Sequence, residues 1–90
     1  MKVLFYGNVL EYTNGEKSYE PPGHSANCST VRDLINILSS HFGDGFLDFL
    51  LGEETCFFLI NGKGIMMSGG LDTKLNPGDK IEVLPFAQAG

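Results

Sequence analysis

The end of the chain, residues 84 to 90 with the sequence LPFAQAG, is the segment best suited to chemistry. A predicted strand there runs into a short tail of small residues that stops at Gly90. So thin a tail can enter a narrow channel in another protein and present its own carboxylate. An α-carboxyl group has a pKa of roughly 3.3 to 3.7, so it is an anion at neutral pH and resists nucleophilic attack. Chemistry at Gly90 would therefore require activation of the carboxylate.

The other reactive side chains do not form a second site. Cys28 lies in a polar loop without a neighbour that would stabilise a thiolate, and Cys56 opens an apolar segment and is expected in the core. His24 and His41 are far apart, and no spacing around them resembles a set of metal ligands. We therefore expect no metal site and no internal catalytic group.

Composition limits the possible functions. Ninety residues form one domain, expected over residues 1 to 85 and followed by a flexible tail over 86 to 90, without room for a deep catalytic pocket. The net charge of -5 and the lack of a basic run argue against nucleic acid and favour an electropositive protein partner. No apolar run approaches the roughly 18 residues of a membrane span. The two cysteines do not form a disulfide framework, so we expect a reduced, cytoplasmic protein.

The clearest local signal predicts a helix over residues 31 to 42. Thr30 and Asp33 fit the capping pattern in which a hydroxyl and a carboxylate bind otherwise unpaired amides of the first turn. Gly43 is placed to end the helix. The short apolar stretch at residues 46 to 51 predicts only one helical turn, which we expect to be buried in the core. The apolar positions of the helix recur at helical spacing and define one buried face, which consists of Val31, Leu34, Ile35, Leu38 and Phe42.

Strand signals flank this helix on both sides. The first two predicted strands read as a hairpin with a wide connection, and Asn61-Gly62 predicts a type I′ turn between the third and the fourth. One helix across a mostly antiparallel sheet is an α+β architecture, and the β-grasp arrangement is the leading candidate. We expect a mixed sheet of four to five strands with one main helix packed across it. The predicted strands cover residues 2 to 6, 16 to 20, 56 to 60, 63 to 67 and 80 to 84.

Side chains alternate between the two faces of the sheet along the first and the last predicted strand. Tyr6 falls on the face opposite Phe5, and Leu84 falls on the face opposite Val83, which makes Leu84 a candidate exposed apolar residue. Single exposed apolar residues are normal, so both can also be ordinary sheet residues that their own domain partly covers. Their position beside the tail favours a binding role as much as this alternative.

Four segments, taken in order, carry a resemblance to a known family. They are KVLFY at residues 2 to 6, TVRDL at 30 to 34, FLING at 58 to 62, and LNPGDKIEVLP at 75 to 85 before the final glycine. Together they resemble the MoaD/ThiS family of ubiquitin-like sulfur carriers over essentially the whole chain. The resemblance is closer to the MoaD branch, the small subunits of molybdopterin synthase, because a proline follows the last strand.

The resemblance implies a sulfur carrier that is a co-substrate and not an enzyme. An E1-like, MoeB-like adenylating enzyme would activate the Gly90 carboxylate, and a sulfur donor would convert it to a thiocarboxylate. The carrier would hold no bound cofactor, only a transient acyl-adenylate made from ATP on Gly90. A MoaE-like large subunit of molybdopterin synthase would then receive the sulfur. Partner contacts would come from Tyr6, Leu84 and Phe86, and the channel would take up the tail, which consists of Phe86, Ala87, Gln88 and Ala89.

The end of the chain departs from the family pattern, which closes with two glycines where this sequence has Ala89-Gly90. Ala89 adds a methyl group and loses easy access to positive φ. We favour two explanations of the Ala89-Gly90 ending over a loss of activity. Either the partners of this chain accept the variant tail, or a last glycine is missing from the sequence. Two other functions remain open: a β-grasp interaction module or ubiquitin-like modifier without sulfur transfer, and a sulfur carrier of the thiamine pathway.

Overall fold

A computed structural model of the chain describes residues 1–21, 29–51, 56–65 and 70–85. The described residues form a five-stranded sheet, two α-helices and one 3₁₀ helix. In chain order these elements are β1 (Lys2–Phe5), the 3₁₀ helix (Gly7–Glu11), β2 (Ser18–Tyr19), α1 (Val31–Phe42), α2 (Asp44–Leu51), β3 (Cys56–Ile60), β4 (Lys63–Ile65) and β5 (Lys80–Pro85).

The strands lie in the order β2-β1-β5-β3-β4, which makes β5 the central strand. β5 runs parallel to β1 and antiparallel to β3, while the pairs β1-β2 and β3-β4 are antiparallel. Parallel neighbours need a long connection, and the one between β1 and β5 contains both α-helices as well as the other three strands. The predicted β-grasp fold with a mixed sheet is confirmed.

Helix α1 begins and ends at the predicted residues. The Thr30 hydroxyl accepts a hydrogen bond from the Asp33 amide at 3.3 Å, and the Asp33 carboxylate accepts one from the Thr30 amide at 3.2 Å. This reciprocal pair is the predicted capping box. At the other end, Gly43 has a φ of 117°, which a residue with a side chain rarely adopts. The local sequence therefore sets both ends of α1.

Helix α2 is longer than the sequence suggested. The prediction of a helical turn over residues 46 to 51 is wrong in extent, because the helix starts at Asp44 and runs to Leu51. Asp44 supplies a negative charge to the first turn, where the helix dipole favours it. Phe46 and Leu50 are buried, which places α2 in the core beside α1.

The core lies between the helices and one face of the sheet. In the sheet, Phe58 of β3 and Ile81 and Val83 of β5 are fully buried. Phe5 of β1 meets Phe46 of α2 edge to face, with ring centroids 6.0 Å apart. This face, the inner face, is occupied by the two helices, which leaves the opposite, outer face of the sheet without a helix from the described residues.

Two connections differ in how well their sequence predicted them. The Asn61-Gly62 turn is confirmed, with φ of 52° and 86° at its two central residues. The wide connection between β1 and β2 contains a 3₁₀ helix that the sequence did not predict, and it buries Val9.

Within the described ranges, no helix is long and apolar enough to cross a membrane.

Candidate functional site

The candidate site begins where β5 leaves the sheet. β5 is hydrogen-bonded to a strand on each side, and its last residue, Pro85, is buried and pairs with Cys56 of β3. Any segment that follows Pro85 thus starts from the best-anchored strand of the fold. The predicted tail and acyl site lie outside the described residues, and they comprise Phe86, Ala87, Gln88, Ala89 and Gly90.

The outer face of the sheet presents a row of residues across its three central strands. Glu82 of β5 pairs in register with Leu4 of β1 and with Leu59 of β3. One step closer to the end of β5, Leu84 pairs with Phe57. All five side chains are half-buried, and none of them belongs to the helix-covered core.

We call this apolar area the outer patch. It surrounds one acidic residue, Glu82, and its apolar members are Leu4, Tyr6, Phe57, Leu59 and Leu84.

Tyr6 is the most exposed member of the outer patch, at 39% exposure. Its hydroxyl donates a hydrogen bond to Oε2 of Glu82 at 2.9 Å, and its amide donates to the Val83 carbonyl at 3.1 Å. The hydrogen bond to Glu82 raises the pKa of Tyr6, and partial desolvation and the charge of Glu82 act in the same direction. The backbone and the side chain of Tyr6 are therefore both held against β5.

Leu84 lies on the predicted face, but the expectation that it is exposed is wrong. Its side chain is half-buried, because it packs on the sheet opposite Phe57 of β3. The structure brings Leu84 and Tyr6 to the same face, at the same end of β5. The sequence interpretation missed Phe57 and Leu59. Their signal was alternation, since a strand with Cys56 and Phe58 inside must turn Phe57 and Leu59 outward.

Among the residues the structure describes, no group of three or more His, Cys, Asp or Glu side chains could hold a metal ion.

Comparison with known proteins identifies the family. The model of the ThiS family matches residues 3–90, nearly the whole chain. The chain belongs to the ThiS family. Members of the ThiS family are ubiquitin-like sulfur carriers, small proteins that are not catalytic themselves. The matched span includes the central strand, the outer patch and the residues that follow β5.

Solved structures agree with this assignment. The chain is 25% identical to a chain in the BexX/CysO complex of Amycolatopsis orientalis, with a TM-score of 0.74 over 99% of this chain and 98% of the other. A putative molybdopterin converting factor subunit 1 from Pyrococcus furiosus is 23% identical, with a TM-score of 0.67 over 93% of each chain.

Urm1 from Trypanosoma brucei is 20% identical, with a TM-score of 0.75 over 99% of this chain and 93% of the other. At such identities the Pyrococcus and Trypanosoma structures support the fold alone. No curated protein matches the chain.

Proposed function

We propose that this ThiS-family chain carries sulfur as a thiocarboxylate on Gly90 and donates it in the biosynthesis of molybdopterin. The observation that carries the proposal is the family match over residues 3–90, which extends through the residues that follow β5. The position of β5 supports it, because the five residues that end at Gly90 follow this central strand directly in the sequence.

The proposed chemistry takes place at one carbonyl carbon. The Gly90 carboxylate attacks the α-phosphorus of ATP, and pyrophosphate leaves, so that a poor electrophile becomes an acyl-adenylate. The sulfur donor then attacks the carbonyl carbon and AMP departs with the electron pair of the broken bond. A hydrosulfide donor gives the thiocarboxylate directly. A persulfide donor gives an acyl disulfide, and a thiol must then break its S–S bond by forming a disulfide with the donor's own sulfur, which leaves Gly90 as the thiocarboxylate. The folded domain contributes binding and positioning, while an E1-like, MoeB-like enzyme supplies the catalytic groups.

The outer patch is the proposed docking surface for that adenylating enzyme and for a MoaE-like large subunit of molybdopterin synthase. Half-buried apolar residues that no helix covers are typical of protein interaction sites when they cluster. Tyr6 and Leu84 lie at the end of the sheet where β5 stops, so a partner bound there is also beside the tail. Docking and presentation of the acyl group can then occur together.

The molybdopterin pathway is the finest level of the proposal. Pro85 supports it: the sequence placed this proline just after the last strand, the structure makes it the final residue of β5, and a proline at this point of the chain is the feature by which the chain resembles the MoaD branch. A thiamine-pathway acceptor is the neighbouring alternative and uses the same acyl chemistry. The acceptor is tested by giving the thiocarboxylated chain either a molybdopterin synthase large subunit with its pterin precursor or the thiazole-forming enzyme, and by following which one removes the sulfur.

Intact-protein mass spectrometry tests the carrier chemistry. The chain is incubated with an adenylating enzyme from the same organism, ATP and a sulfur donor. A carrier gains the mass difference between one sulfur and one oxygen atom, and fragmentation places this gain on Gly90. Deletion of Gly90 should abolish it and leave the fold intact. An unmodified chain that still forms a tight complex would instead support a β-grasp interaction module.

The departure at Ala89 is tested with two further variants in the same reaction. Ala89→Gly restores the usual pair of glycines, and a chain with one added glycine supplies a longer tail. If the present tail suits its own partners, neither variant will gain sulfur faster than the wild-type chain. Faster modification of the longer chain alone would move the acyl group from Gly90 to that added residue.

A further inference from the structure

Glu82 occupies the centre of the outer patch. Leu4 and Leu59 flank it on the neighbouring strands, and Leu84 lies two residues further along β5 on the same face. Glu82 is itself half-buried. A carboxylate at the centre of an apolar surface is unusual, because charged residues are depleted where protein interfaces close most tightly.

The carboxylate of Glu82 is incompletely paired. Its Oε2 atom accepts the hydrogen bond of the Tyr6 hydroxyl at 2.9 Å, whereas an ionised carboxylate can accept about four hydrogen bonds. Within the described part of the chain, the only ion pair joins Arg32 to Asp72, which lie away from the outer patch. In the free protein, water can therefore satisfy the remaining lone pairs of Glu82.

The lysines of the outer face do not supply this missing partner. Lys2 of β1 and Lys80 of β5 are neighbours in the strand register, one row before Glu82 and on the side away from the end of β5. The hydrogen bond from Tyr6 holds the Glu82 carboxylate from the opposite side, toward the end of β5. The free lone pairs of Glu82 are thus available to a group that arrives from outside the molecule.

Docking on the outer patch removes water from Glu82. A buried charge that is left unpaired costs several kcal/mol, and a neutral phenol hydroxyl compensates only part of that cost. Leu4, Leu59 and Leu84 have no side-chain donor, and within the described part of the chain neither Lys2 nor Lys80 forms an ion pair with Glu82. The compensating donor is therefore expected from the partner. Arginine fits this position well, since its planar guanidinium can give two parallel hydrogen bonds to one carboxylate and is weakly hydrated.

We propose that Glu82 is a specificity-determining residue of the docking surface, which selects a partner that places an arginine side chain on its carboxylate within an apolar contact. Tyr6 acts as a positioning residue, because its hydroxyl fixes the orientation of that carboxylate. This inference rests on the proposed function for the identity of the partner, the adenylating enzyme. The net charge of -5 favours the approach of a basic protein surface in general, while Glu82 sets where the cation must lie.

Calorimetric titration of the adenylating enzyme from the same organism, without ATP and at two salt concentrations, tests this proposal. Glu82→Gln keeps the size of the side chain and an acceptor for Tyr6 but removes the charge. We expect this variant to bind roughly tenfold more weakly or worse at both salt concentrations, because salt screens a buried ion pair much less than exposed charges. Tyr6→Phe keeps the charge, so it should weaken binding less than Glu82→Gln. Asp48→Asn removes one charge from the exposed side of α2, in the helical layer, and should match the wild-type chain.

The outcomes separate this inference from the proposed carrier function. If Glu82→Gln binds as tightly as the wild-type chain, or more tightly, the role of Glu82 is overturned even when the wild-type chain gains sulfur. If Glu82→Gln weakens binding but the wild-type chain gains no sulfur, the docking role stands and the carrier function falls. Replacement of the enzyme's contacting arginine by glutamine should weaken wild-type binding and have little further effect on Glu82→Gln. Additive losses in this cycle would contradict a direct pair.

Discussion

The side-chain amide of Asn61 donates a hydrogen bond to the Asp79 carboxylate at 2.9 Å, and this contact joins the β3-β4 turn to the turn before β5. Asp79 also accepts a hydrogen bond from the Asn76 amide at 2.8 Å, which closes its own turn. The carbonyl oxygen of the Asn61 side chain accepts the Lys80 amide at 2.9 Å. Two side chains therefore fix the start of the central strand.

Loss of Asp79 should destabilise the fold. Asp79 is only 9% exposed, so Asp79→Ala leaves the donors of Asn61 and Asn76 without their acceptor in a partly buried site. We expect a loss of about 2 kcal/mol in the free energy of unfolding, measured by urea denaturation. Asp72→Ala is the matched control, because its contact with Arg32 is exposed and contributes little. Equal stability of the two variants would contradict a structural role for Asp79.

The sequence predicted best what depends on local contacts. Helix α1 carries its capping box, its apolar spacing and its terminal glycine within fourteen consecutive residues, Thr30 to Gly43. The Asn61-Gly62 turn is similarly local. The parallel pairing of β1 with β5 joins residues near opposite ends of the chain, and no local signal marks it. The early start of α2 was missed because Gly45, a poor helix former, lies inside it.

In the candidate site too, the sequence predicted what depends on one strand and missed what depends on the pairing of distant strands. Alternation within one strand placed Tyr6 and Leu84 on the correct face, since this requires only the period of a strand. The hydrogen bond between Tyr6 and Glu82 depends on the pairing of two distant strands, so the sequence alone could not indicate it. The half-burial of Leu84 likewise depends on the pairing of distant strands, because Phe57 of β3 is its register partner.

The capping box predicts a specific dependence of stability on pH. The hydrogen bond from the Ser29 amide, helped by those from Thr30 and from the Ser29 hydroxyl, lowers the pKa of Asp33 below its ordinary value of 3.8, although desolvation acts in the opposite direction. The native state therefore binds this proton less readily than the unfolded state. The stabilisation that the ionised Asp33 carboxylate gives to the native state is complete above the pKa of the unfolded state. It is lost as the pH falls through the lower pKa of the native state.

Thermal unfolding of the wild-type chain and of Asp33→Asn across the acidic range measures this contribution. The difference in melting temperature between the two proteins should be largest near neutral pH and should shrink as the pH falls below the ordinary pKa of 3.8. A constant difference throughout that range would show that the Asp33 carboxylate does not act through its charge.

The contact of Tyr6 with Glu82 should be visible in the titration of the phenol. Since this hydrogen bond raises the pKa of Tyr6 above 10.0, deprotonation should require a more alkaline solution than for a free tyrosine. The contribution of the contact to stability is present below the unfolded pKa and is lost as the pH rises through the native value. The chain has three tyrosines and no tryptophan, which makes phenolate absorbance a clean measurement.

Difference titration assigns this signal to one residue. The component that disappears in Tyr6→Phe belongs to Tyr6, and in Glu82→Met, which removes both the charge and the acceptor, the same component should shift to lower pH. No shift in Glu82→Met would mean that the hydroxyl does not donate to Glu82 in solution.

Phe46 of α2 should contribute strongly to the stability of the core. Its ring is 1% exposed and lies 5.7 Å from Phe42 and 6.0 Å from Phe5, measured between ring centroids. Phe46→Ala should lower the free energy of unfolding by about 3 to 5 kcal/mol, because it leaves a cavity between both helices and the sheet. Leu51→Ala, at a 45% exposed position of the same helix, should cost less than about 1 kcal/mol. Similar losses in urea denaturation would place Phe46 outside the core.

Leu84→Glu should separate docking from folding. The new carboxylate would lie two residues from Glu82 on the same face and opposite Phe57, so a partner would have to desolvate two neighbouring negative charges. We expect affinity for the adenylating enzyme to fall roughly tenfold or more. Since Leu84 is only half-buried and lies outside the core, the free energy of unfolding should fall by no more than about 2 kcal/mol.

Leu51→Glu is the matched control for Leu84→Glu. It introduces the same charge at an exposed leucine of α2, in the helical layer on the other side of the sheet, and should leave affinity for the adenylating enzyme unchanged. If both variants lose affinity equally, net charge and not the outer patch governs docking. If neither loses affinity while both remain folded by circular dichroism, the adenylating enzyme binds elsewhere on the domain or through the tail alone.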